Sequence, residues 1–125
     1  MFHHVLCVYP YRRELGDFNF FPPLGLEYIA TILAPHARAI DLIDLRKEPD
    51  CTRDFLRPET DVACFSVNWD RESPLVHEEI RSVPPEVFTI LGGRHVTLDP
   101  QAWFEACPNV GAIVRGDGEE SMQEF

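Results

Sequence analysis

Val62-Ala63-Cys64-Phe65-Ser66 is apolar at four consecutive positions, with no alternation of polar and apolar residues. A strand with one wet face alternates with a period of two, so an unbroken run predicts a strand covered on both sides, the habit of a parallel sheet. Val5-Leu6-Cys7-Val8-Tyr9, Val87-Phe88-Thr89-Ile90-Leu91 and Val110-Gly111-Ala112-Ile113-Val114 have the same character. A fifth run, from Ala39 to Leu45, is broken by Asp41 and Asp44 and predicts an exposed edge strand.

Helix signals separate these runs. Leu24, Tyr28, Ile29, Ile32 and Leu33 recur at helical spacing after Pro22-Pro23, and Pro35 closes the segment. Ser73-Pro74 and Asp99-Pro100 each pair a capping side chain with a proline suited to the first helical turn. Asp117 and Glu120 have the spacing of a capping box, and a weak helix is expected near Asp50 to Leu56. Strand and helix therefore alternate along the chain. The expected fold is α/β, a doubly wound parallel five-stranded sheet of Rossmann or flavodoxin-like type, with strand order 2-1-3-4-5.

At 125 residues the chain suits one domain, expected over 1–125, and a helix still running at Phe125 reads as truncation. Lys and Arg number 11 against 21 Asp and Glu, a formal net charge of −10 that disfavours nucleic acid and anionic membrane as partners. The longest apolar runs fall far below the roughly 20 residues of a membrane span. Nothing at the start has signal-peptide character. Cys7, Cys51, Cys64 and Cys107 include no C-x-x-C pair, so they read as packing residues or idle thiols, and a reducing cytoplasm is the expected location.

In an open parallel sheet, ligands bind beyond the carboxyl ends of the strands. The first such loop, Pro10 to Phe21, is long for a βα connection and carries Arg12, Arg13, Gly16, Asp17 and Asn19. The third strand ends in Ser66-Val67-Asn68-Trp69-Asp70 and the fourth in Gly92-Gly93-Arg94-His95-Val96-Thr97. Paired glycines let a ligand or a backbone approach closely, although a tight turn explains them equally well. The fifth strand ends in Arg115-Gly116-Asp117-Gly118-Glu119-Glu120.

Several function classes are excluded. The G-x-G-x-x-S run from Gly116 to Ser121 follows the last strand, and its carboxylates would crowd a pyrophosphate. No P-loop and no G-x-S-x-G elbow is present. A phosphoacceptor receiver would need acidic residues after the first strand, where Pro10-Tyr11-Arg12-Arg13 stands.

Three stretches together resemble one known family: Phe21-Pro22-Pro23-Leu24-Gly25-Leu26-Glu27-Tyr28-Ile29-Ala30, Leu91-Gly92-Gly93-Arg94-His95-Val96-Thr97, and the segment from Asn109 to Ser121. They are similar to successive landmarks of the cobalamin-binding domain in radical S-adenosylmethionine enzymes, such as anaerobic magnesium-protoporphyrin monomethyl ester cyclases and cobalamin-dependent methyltransferases. The resemblance implies cobalamin over the carboxyl edge of the sheet, with its nucleotide tail in a crevice lined by Ser66, Gly92 and Gly93. Small side chains and a hydroxyl suit a bulky benzimidazole tail. The implied cofactor-binding residues are Ser66, Asn68, Trp69, Gly92, Gly93, Arg94, His95, Arg115 and Gly116. No catalytic residue and no protein metal ligand is assigned.

Two departures shape the expectation. Many corrinoid proteins carry Asp-x-His-x-x-Gly after the first strand, and Pro10 to Gly16 holds no His. Cobalamin is therefore expected base-off, its lower face covered by the first loop or by Trp69. His95 reads as a turn or tail residue, and His3, His4, His36 and His77 as surface or strand-end residues. The C-x-x-x-C-x-x-C run that holds a [4Fe-4S] cluster is absent, so S-adenosylmethionine chemistry would belong to a downstream radical domain of the same protein. The alternatives are a structural or docking domain without cofactor and, more weakly, a flavin or nucleotide site.

Overall fold

The computed structural model describes residues 1–11, 24–67 and 73–114. Five strands, β1 (Phe2–Tyr9), β2 (Ala37–Asp44), β3 (Thr60–Ser66), β4 (Phe88–Gly92) and β5 (Val110–Val114), form one sheet in the order β2-β1-β3-β4-β5. All four pairings are parallel. The expected fold class and strand order are therefore the observed ones. Right-handed crossovers and the acids of β2, suited to a margin, are what favour this order in the sequence.

The helices are α1 (Leu24–Leu33), α2 (Ser73–Arg81), α3 (Arg94–Leu98) and α4 (Pro100–Ala106). Leu33 of α1 is buried and Ile29 and Ile32 pack partly against the core, as the helical spacing predicts; Leu26, outside that spacing, is buried as well, and the side chains of Leu24 and Tyr28 lie outside the described ones. Asp99 caps α4 by accepting the Ala102 N–H at 3.2 Å, and Pro100 opens the first turn where its missing N–H costs nothing. The weak helix expected near Asp50 is a single 3₁₀ turn, Thr52–Phe55. Right-handed crossovers put α1 on one face of the sheet and α2 and α4 on the other. Consistent with this, His77 of α2 meets Trp103 of α4 edge to face at 4.7 Å.

The core runs from Val5 to Val8 on β1 through Val62 to Phe65 on β3 and Ile90 and Leu91 on β4. Cys7 and Cys64 lie opposite each other in register within it. The hydrogen bond with the Cys7 thiol beside it, and then burial, push the Cys64 thiol well above the ordinary thiol range, so both behave as packing residues. All four cysteines are free thiols. Among the described residues no helix is long and apolar enough to cross a membrane.

Three expectations need correction. β1, β2 and β3 begin two or three residues earlier than their apolar runs: His3, His4, Thr60 and Asp61 find partners at the amino ends of β1 and β3, and β2 starts at Ala37, opposite Phe2. His4 is one of these: it is fully buried, not a surface strand-end residue. The stretch after Gly93 is not a loop, since Arg94–Leu98 closes into α3 before Pro100 starts a separate helix. The expected helix beyond β5 lies outside the described residues.

Candidate functional site

The carboxyl edge is best read across the strands. Register pairs Tyr9 with Asp44, Ser66 with Gly92 and Gly92 with Val114, while Val8 pairs with Phe65 one step below. Strand alternation then puts Asp44, Tyr9, Ser66, Gly92 and Val114 on one face of the sheet in a transverse row. Three large side chains thus share a row with a hydroxyl and a hydrogen. The row is lowest at Ser66 and Gly92.

Gly92 is the open point. A Cβ built there meets no other described atom within 4 Å. Gly93 serves a different purpose. Its φ of 116° and ψ of 167° fall in a region that residues with a Cβ rarely adopt, so its lack of a side chain sets the backbone path from β4 into α3. Of the two glycines expected to line one channel, Gly92 opens space and Gly93 makes the turn.

Backbone hydrogen bonds lock the tips of β3 and β4 together. The Val67 N–H donates to the Gly92 carbonyl at 2.7 Å, and the Val67 carbonyl accepts the His95 and Val96 N–H groups at 3.1 and 3.4 Å. The Gly93 carbonyl accepts both the N–H and the hydroxyl of Thr97, at 3.3 and 2.9 Å. The first amides of α3 are thereby satisfied by protein.

The His95 ring, carried on the first turn of α3, packs edge-on to Trp103 at 5.8 Å. Arg94 is exposed at the start of α3. Asn68, Trp69, Arg115 and Gly116 lie outside the described residues, as does the first loop from Arg12 onward. The described site therefore brings together Ser66, Gly92, Gly93 and the backbone of His95. Among the described residues, no group of three or more His, Cys, Asp or Glu side chains could hold a metal ion.

A cluster not anticipated from the sequence stands beside the gap. Arg46 is nearly buried, its side chain 5% exposed, and it grips Asp44 through Nε (3.0 and 3.2 Å) and Nη2 (2.7 Å). Its guanidinium lies 4.6 Å from the centre of the Tyr9 ring, and Tyr11 meets that ring edge-on at 5.3 Å. Asp44 was expected to be a solvated edge acid, but it is 10% exposed and ion-paired. A tyrosine ending an apolar strand and an acid in the matching position of β2 were the available signal.

At the opposite edge of the sheet, an irregularity in the β1–β3 pairing makes Asp61 an extra residue, with His4 opposite Thr60 and Val5 opposite Val62. This brings the Thr60 hydroxyl to His4 Nδ1 at 2.6 Å, while His4 Nε2 lies 2.9 Å from Asp41 Oδ2. Arg57 closes the ring, its N–H donating to Thr60 Oγ1 and its Nη2 to Asp41 Oδ2. Every polar atom of His4 is satisfied with its proton on Nε2, donated to Asp41, and the Thr60 hydroxyl donated to Nδ1.

An open parallel sheet with a hydrogen-bonded frame and an open position at its carboxyl edge is a ligand-binding domain of the doubly wound class. More particularly, the chain belongs to the B12-binding domain family, which matches residues 18–125. It is a cobalamin-binding module. The chain is 30% identical over 122 residues to an uncharacterised methyltransferase of Pyrococcus horikoshii, covering 91% of this chain and 26% of that protein. It is 27% identical over 133 residues to the cytidylyl-2-hydroxyethylphosphonate methyltransferase of Streptomyces wedmorensis, covering 87% of this chain and 24% of that protein. The chain thus spans about a quarter of the length of the curated relatives it matches. The described residues fit the cofactor, because no bulky described side chain fills the space over Gly92 and Ser66 stands beside it in register.

Proposed function

We propose that the chain seats cobalamin over the carboxyl edge of the sheet, with the nucleotide tail entering between Ser66 and Gly92, in service of a longer protein that transfers methyl groups by radical S-adenosylmethionine chemistry. The observation that carries the seating is that a Cβ built on Gly92, at the tip of a central strand, meets no other described atom within 4 Å. The names of both relatives favour methyl transfer over oxidative cyclisation for the parent. When bound, the corrinoid supplies a cobalt centre able to carry a methyl group.

This chain's own residues bind and orient. Ser66 offers a hydroxyl to the tail, Gly92 offers room, and Gly93 holds the turn that keeps that room open. Arg94, His95, Asn68, Trp69, Arg115 and Gly116 complete the proposed surround. Pro10 to Gly16 holds no His, so no imidazole of that stretch would hold cobalt, and a tail held between Ser66 and Gly92 would leave the cofactor base-off. The [4Fe-4S] cluster and S-adenosylmethionine belong to a radical domain elsewhere in the parent.

The test is retention of hydroxocobalamin through desalting, with Gly92→Val as the contrast. Wild-type protein keeps the visible corrinoid absorbance. Gly92→Val loses it with an unchanged thermal midpoint, because a Cβ there meets no other described atom within 4 Å. Equal retention by both proteins would remove the tail from this gap, and no retention by the wild type would remove the seating altogether.

A further inference from the structure

We infer that Tyr9, held in place by the Arg46–Asp44 pair, is the β1-side wall of the gap and a specificity-determining contact for the flat aromatic base of a corrinoid tail; this rests on the cobalamin reading above. The register carries the placement. Tyr9 sits beside Ser66 on the same face of adjacent strands, which run about 4.8 Å apart. A tail base entering over Gly92 therefore has Tyr9 as its first large neighbour on the β1 side, with Val114 on the other.

The way Tyr9 is held points to a fixed-geometry role. Burying an arginine and an aspartate is costly in desolvation, and an apolar pair of similar volume would secure a strand margin about as well. Here the two-pronged grip of Arg46 on Asp44 fixes a planar group against the ring, and Tyr11 supports the ring edge. With Arg46 over the ring and Tyr11 beside it, a side chain only 7% exposed has little freedom to rotate away when a ligand arrives. Tyr9 thus sets the width of the gap, and Asp44 and Arg46 are positioning residues acting through it.

The test compares two probes, hydroxocobalamin and dicyanocobinamide, the latter a corrin without a nucleotide tail. Tyr9→Leu keeps an apolar side chain in the core and removes the flat wall. Its affinity for hydroxocobalamin is expected to fall at least tenfold while its affinity for dicyanocobinamide stays within twofold of wild type. Tyr9→Phe keeps the ring and both affinities. Asp44→Asn releases Arg46 without changing volume and gives the Tyr9→Leu pattern more weakly, about threefold.

Retained dicyanocobinamide binding shows that a variant is folded. Should Tyr9→Leu fail to fold, the Asp44→Asn comparison decides. Equal loss for both probes, or no loss for either, overturns the wall assignment while leaving cobalamin binding intact. If wild type binds neither probe, the cobalamin reading itself has failed and this inference falls with it.

Discussion

At the amino edge of the sheet, His4 has both ring nitrogens engaged by neighbours from β2 and β3, and Arg57 ties the same two partners together. At the carboxyl edge, the position over Gly92 meets no other described atom within 4 Å. The same five strands thus end in a closed polar ring on one side and in an open gap on the other. Satisfied buried networks specify one arrangement and resist change, whereas a gap framed by backbone hydrogen bonds leaves room for something else. Stability should therefore be concentrated at the amino edge and binding at the carboxyl edge.

The strongest way to break that contrast is His4→Leu. It takes the His4 Nδ1 partner from the Thr60 hydroxyl, which keeps only the Arg57 N–H, and leaves Asp41 with Arg57 alone, and a loss of about 3 kcal/mol is expected in urea unfolding. A loss below about 1 kcal/mol would mean that the ring is ornamental and the two edges are energetically alike.

Alkaline pH sharpens the same point. Cys107, just before β5, is fully buried, and that burial pushes its thiol up to about 11 from an ordinary value of 9.0, against a smaller opposing pull from Arg81. The folded state holds the proton more tightly, so this contribution is complete below pH 9 and is lost as pH rises through 11. The loss amounts to about 3 kcal/mol. Cys107→Ala should flatten the fall in unfolding midpoint over that window. Cys64, shifted in the same direction, leaves a residual slope of the same sign.

The glycine pair divides the carboxyl edge itself. Gly93→Ala forces a side chain into a conformation reserved for glycine and should cost about 1–2 kcal/mol of stability. Gly92→Ala should change stability by less than about 0.5 kcal/mol, the smallest effect of the series, since its Cβ enters open space. Equal costs at the two positions in a thermal melt would erase the distinction between frame and gap.

The central strands were legible in the sequence because their apolar runs are continuous, and β2 was legible as an edge from Asp41 and Asp44. Its acids were harder to read. Whether an acid on an edge strand meets water or a buried guanidinium depends on Arg46 folding back over Tyr9, a contact that local pattern does not encode. His4 was misread for a related reason: its partners lie 37 and 56 residues away, and the irregular pairing at Asp61 is invisible until strands are in register.

α3 escaped notice because it is short, begins after Gly93 and ends against Asp99-Pro100, so its boundaries look like loop punctuation. Within the candidate site, Ser66 and the glycines were readable as small residues at strand tips. Which of the two glycines opens space and which makes the turn required their backbone angles.

The Val67 carbonyl, which receives two amides of α3 while its own N–H reaches Gly92, has a consequence for ligand entry. Residues of β4 and α3 meet at that one peptide just beyond β3, so this described part of the rim is already tied together by protein. Little chain entropy remains to be lost at these residues on association, and their share of the on-rate should depend on how readily the guest sheds water.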